Sequence, residues 1–137
     1  MIAGTNKYEK WLGRVILIGV AVNIVNGLIL IFAPTWYFDL LGFPPEQGPQ
    51  VWVRHTGNIL ITIGLTYVQA ALNPLRNLML LAAALFARFL GVVFFTAIMV
   101  WLHTLAYWPI LIVDGFFFLV PLWLFIKAFR ADLDTKP

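Results

Sequence analysis

The chain contains no cysteine. Disulfides, thiol chemistry and thiolate metal sites are therefore excluded, and cysteine usage says nothing of a redox compartment. Charge is nearly as scarce: Asp, Glu, Lys and Arg make up 11% of the 137 residues, where soluble domains carry about 25%. No lysine falls inside a long apolar run, so a retinal-type Schiff base has no attachment point. No Ser/His/Asp set or pair of neighbouring carboxylates occurs either, which leaves hydrolase and glycosidase chemistry without support. Internal repeats are lacking. The first apolar run is not followed by a small-residue cleavage site, so it reads as a retained segment rather than a signal peptide.

What is present is lipid-compatible. The composition is 62% hydrophobic and the mean hydropathy is +0.91. The length suits one small membrane domain and leaves no room for a second, soluble one. The net charge of +3 comes from residues at the ends of apolar runs. Such charges set membrane topology; they do not form the basic face that would argue for nucleic acid, which is not expected as a partner.

The expected fold is all-α: a polytopic membrane protein built as an antiparallel bundle of four transmembrane helices, at about residues 11–33, 51–72, 76–102 and 105–127. A short interfacial helix, Trp36–Leu41, is expected in the first outer loop between Thr35 and Gly42. The turn-rich Phe43–Pro49 loop follows it and cannot continue a helix. Asn73-Pro74-Leu75-Arg76 makes a tight turn, so segments two and three are antiparallel neighbours. Pro109 suits the first turn of segment four. Pro121 lies in its interior and should kink it, freeing the carbonyl of Phe117. The tail from Ala131 onward is expected to fray.

Lys7, Lys10, Arg14, Arg76, Lys127, Arg130 and Lys136 fall at one boundary, against Arg54 at the other. By the positive-inside rule both termini are then cytoplasmic, and the chain is integral to the membrane. Trp52, Trp101 and Trp108 form an aromatic belt at the outer boundary.

Arg88 interrupts the most apolar run, and a guanidinium at that depth must face protein or water. At 1.5 Å per residue Arg88 lies roughly 20 Å and Asp114 roughly 13 Å below the outer boundary. That offset is within reach of an extended arginine, so the two are expected to pair. Gly19, Asn23, Asn26 and Gly27 share one face of segment one. Segment two carries Arg54, His55, Asn58, Thr62, Thr66 and Gln69 within a wedge of roughly 120°, with Gly57 and Gly64 on another side as a close-packing seam. A polar wedge in lipid must be sheltered, so segment two is expected to turn this wedge inward. Arg88, Asp114, Arg54, His55, Asn58, Asn23 and Asn26 would then outline an outward-opening polar pocket. That pocket is either a structural ion pair or a site for an anionic or quinone-like headgroup, with Arg88 or Arg54 as anchor and Asp114 exchanging a proton. His55 and His103 at the outer boundary permit a two-histidine haem or metal site; with no Cys-x-x-Cys-His or Glu-x-x-His nearby, neither is expected.

Ala33-Pro34, Leu40-Leu41-Gly42-Phe43-Pro44, Arg54-His55-Thr56-Gly57-Asn58, Ala70-Ala71-Leu72-Asn73-Pro74 and Ala87-Arg88-Phe89-Leu90-Gly91 resemble motifs of the small bacterial four-helix DoxX-like membrane proteins. The resemblance covers about residues 14–92 and does not extend to Asp114. It implies a place in a bacterial cytoplasmic membrane and a link to quinone-dependent oxidoreductase systems. The leading expectation is an accessory membrane subunit of a redox or electron-transfer assembly, surrounded by lipid and by other membrane subunits or copies of itself. The alternatives are a stand-alone carrier or membrane enzyme using Asp114 and Arg88, and a structural homo-oligomer.

Overall fold

The computed structural model describes residues 6–42, 51–103, 105 and 107–134; the Phe43–Pro49 loop and residues 135–137 lie outside the described residues. The fold is all-helical. Helix α1 (Lys7–Phe32) begins where the Asn6 side-chain oxygen accepts the Glu9 N–H at 2.9 Å. That cap starts it four residues ahead of the apolar run, because the side chain satisfies an orphan donor of the first turn. Helix α2 (Pro34–Leu41) opens on a proline and stops at Gly42, whose φ of +68° favours a residue without a Cβ. Helix α3 (Val51–Leu72) is joined through the Asn73 turn to α4 (Leu78–Trp101). Helix α5 (Trp108–Leu133) is continuous through Pro121 and retains Ala131–Leu133, where fraying was expected.

Helix α1 is central. It packs along α3 on one flank and α5 on the other, while α4 closes against α5 and touches α3. The α1–α3 contact is backbone on backbone. A Cβ on Gly57 would lie 2.6 Å from the Gly27 carbonyl oxygen, and a Cβ on Gly27 would lie 2.7 Å from that of Gly57. Gly64 faces Val20, Asn23 and Ile24, and Ala71 joins Leu12, Ile16, Leu81 and Leu124 in the core. Small residues at 57, 64 and 71 recur every seven positions, the period of left-handed helix packing.

One end of the molecule is tied together by polar bonds. Asn6 Nδ2 donates to the Ala128 carbonyl at 3.1 Å, and the Leu75 N–H donates to the buried Glu9 carboxylate at 3.4 Å. The start of α1, the α3–α4 turn and the end of α5 therefore share that end, with Lys7, Lys10, Arg14, Arg76, Lys127 and Arg130 around it.

Three helices, α1, α4 and α5, are long and apolar enough to cross a membrane. Their outer faces expose large apolar side chains such as Phe32, Met79, Phe94 and Leu119, a surface made for a lipid bilayer.

Helix α3 corrects an expectation. Arg54, His55, Asn58, Thr62, Thr66 and Gln69 are all exposed on the outside of the molecule, not turned inward. The glycine seam and the polar wedge occupy different faces of α3, and only one can meet α1. Backbone approach at Gly27–Gly57 takes that position and sets the rotation of the helix, which carries the wedge away.

Candidate functional site

Arg88 of α4 is held by two other helices. Its guanidinium donates from Nη1 to Asp114 of α5 and from Nη2 to the side-chain oxygen of Asn23 of α1. It also lies over the Phe117 ring, 5.5 Å from the centroid, in cation–π geometry. Glycines make room for this clamp. At Gly91, one turn beyond Arg88, a Cβ would overlap Asp114 Oδ2; at Gly19 it would meet the Phe117 ring at 3.2 Å. The small residues around Arg88 thus admit the partners it needs. A guanidinium has five N–H donors, and two are engaged here among the described residues. The clamp is formally neutral, because the charge of Asp114 offsets that of Arg88.

Above the clamp, away from the basic end, opens a cavity of about 830 Å³ to which all five helices contribute. Asn23, Arg88 and Asp114 form its polar floor. Its walls are largely apolar, from Val22 and Leu30 of α1 through Leu60 of α3 to Phe95 of α4 and Val113 of α5. Tyr37 of α2 and Tyr107 stand at the outer end; the Tyr107 ring stacks on Phe95 at 5.7 Å. Burial raises the Tyr37 hydroxyl above its ordinary pKa, so it stays a neutral donor and acceptor. On the other side of the floor a space of about 30 Å³ is also lined by Asn23 and Arg88, which makes the clamp a partition between the open half and the packed half.

Of the residues read from the sequence, Arg88, Asp114 and Asn23 come together, and Asn26 lines the same cavity. Arg54, His55 and Asn58 do not join them. Arg54 donates to the Ile31 carbonyl at 2.6 Å, where a cation satisfies an orphan carbonyl at the negative end of α1. His55 packs edge-on to Trp52, and Asn58 lies on the exposed flank of α3. His103 lies exposed beyond the end of α4, with a φ of +48°.

Sequence reasoning missed Phe117, although it lies three residues after Asp114 and so on the same face. It also missed Tyr37 and Tyr107 as cavity residues, and Glu9, whose spacing from Asn6 is that of a capping pair. No family model matches the chain, and no curated protein or solved structure is significantly similar to it.

Proposed function

We propose that the protein is a four-span membrane subunit whose cavity holds the head of a neutral, carbonyl-bearing amphipathic molecule of the quinone type. The observation that carries this reading is the cavity itself: apolar walls, of a volume typical of ligand sites, over a polar floor with unspent hydrogen-bond donors. Because Asp114 already neutralises Arg88, an anionic headgroup would find no net attraction to offset its desolvation. A carbonyl needs only a donor, which Arg88 and the Asn23 amide supply. The tail would lie along the apolar walls.

Helix α3 serves as the fourth crossing. At 22 residues it is long enough, and its close backbone contact with α1 supports this reading. The basic end is cytoplasmic by the positive-inside rule, so the cavity opens to the outer side of a bacterial inner membrane. The resemblance over residues 14–92 supports a role as accessory subunit of a redox assembly, with the quinone-type molecule as cofactor or substrate of its partners.

The test is titration of the purified protein in lipid nanodiscs with a short-chain benzoquinone, read by quenching of its tryptophans. Saturable binding that is lost in the Arg88→Leu/Asp114→Leu double variant supports the reading. Equal binding by that variant, or tighter binding of an alkyl phosphate than of the quinone, refutes it. Native mass spectrometry of the protein from its own host addresses the accessory role: foreign subunits should copurify.

A further inference from the structure

We infer that the protein forms a parallel dimer with a second copy of itself through the exposed flank of α3. The inference rests on α3 being the fourth membrane crossing. Val51, His55, Asn58, Thr62, Leu65 and Gln69 follow one another at intervals of four, three, four, three and four residues, the spacing of a left-handed coiled-coil seam. All six are exposed, with Val51 and Leu65 at 66% and 58% of full exposure. The seam lies roughly 120° around the helix from Gly57, which meets α1. It is also opposite Tyr67, whose hydroxyl reaches the Ala83 carbonyl of α4. No helix of the chain covers it among the described residues.

At this depth the seam cannot be left to lipid. Thr62 satisfies its hydroxyl on the Asn58 carbonyl at 2.9 Å, but the side-chain amides of Asn58 and Gln69 make no hydrogen bond among the described residues. Asn58 adjoins Gly57, which sits against Gly27, five residues before the end of α1, so its amide lies about 8 Å inside the span, where water does not pair it. Gln69, three residues from the end of α3, lies nearer the boundary.

The chemistry of the seam selects its partner. Every copy inserts in the same orientation, so two α3 helices meet parallel and in register, and each seam residue faces its own counterpart. A primary amide carries both donor and acceptor and pairs with itself; an asparagine at a seam position favours the parallel two-stranded arrangement. Leu65 lies between the two amides and supplies the apolar contact. The adjacent cation does not oppose the approach, because Arg54 is bound to the Ile31 carbonyl of its own chain. Apart from His55 the seam carries no titratable group, so a partner chosen by opposite charge would find nothing to recognise.

The absence of cysteine from the chain makes the experiment clean. Leu65→Cys, with Ile18→Cys on α1 and Phe94→Cys on α4 as exposed controls, is oxidised in native membranes and also treated with a membrane-impermeant maleimide. A disulfide dimer at Leu65→Cys and not at the controls is expected. Asn58→Leu and Gln69→Leu should each weaken association in mild detergent about tenfold, the scale of one interhelical polar contact. Equal cross-linking of the controls, or an uncross-linked Leu65→Cys that is still shielded from the maleimide, overturns the dimer while leaving the four-span reading intact. Labelling of Leu65→Cys by the maleimide overturns the four-span reading and the dimer with it.

Discussion

Removing one partner of the Arg88–Asp114 pair should cost far more than removing both. The two side chains are 17% and 12% exposed, so each charge is stabilised chiefly by the other. Asp114→Leu leaves a guanidinium that cannot deprotonate, and the loss of one member of a buried pair costs roughly 3–5 kcal/mol. Arg88→Leu should cost less, since a stranded carboxylate can escape by taking up a proton. The double Leu variant removes both charges and fills the space with apolar volume. What it forfeits is the contact with Phe117, about 1 kcal/mol, and the donor to Asn23, also about 1 kcal/mol. The double variant should therefore be more stable than Asp114→Leu alone, with a coupling of about 3 kcal/mol between the sites. Equilibrium unfolding in mixed micelles by titration with dodecyl sulfate, followed by the fluorescence of the six tryptophans, measures all four species. Single losses that add to within about 0.5 kcal/mol would mean that the charges do not interact, and would refute the clamp.

Two glycine substitutions should shift stability in opposite directions. Gly57→Ala places a Cβ against the Gly27 carbonyl, and overpacking of about 1–3 kcal/mol should outweigh the helix-propensity gain of about 1 kcal/mol. At Gly115 nothing lies within 4 Å of the added atom, so Gly115→Ala should raise the melting temperature while Gly57→Ala lowers it. Asn6→Ala removes both the cap of α1 and the bond to Ala128; a loss of about 1 kcal/mol and faster amide exchange in the first turn of α1 are expected. Burial disfavours the Tyr37 phenolate, so its folded pKa lies above the ordinary value of 10.0. The stability this gives is complete below that value and is lost as pH rises through the folded pKa. The ultraviolet difference spectrum between wild type and Tyr37→Phe should show ionisation displaced above pH 10.

The helices and the Arg88–Asp114 pair were legible because both follow from one-dimensional rules: apolar run length, turn residues and rise per residue. A charge in the middle of α4 needs a partner within reach of its side chain, and the carboxylate of Asp114, offset by about 7 Å, offered one. The rotation of α3 was not legible. Its polar wedge and its glycine seam both need shelter from lipid, and a sequence does not say which takes the neighbouring helix and which is left for something else. The outcome depended on Gly27 lying opposite Gly57, a match between two helices that neither shows alone. The cavity was out of reach for a similar reason: it is the space left when five helices with large outer-half aromatics fail to close, and Tyr37 and Tyr107 join it from connections rather than from spans.

The separation of Arg88 from Asp114 along the chain has a consequence for biosynthesis. The arginine emerges from the ribosome 26 residues ahead of its counter-charge, so α4 enters the membrane carrying a cost of about 2.5–3.5 kcal/mol at its centre. The apolar residues of the helix outweigh that cost on the same scale, and the cost is recovered once α5 brings Asp114 alongside. Asn6 waits longer still, since its acceptor at Ala128 lies 122 residues away. The first helix made is thus the last to be finished.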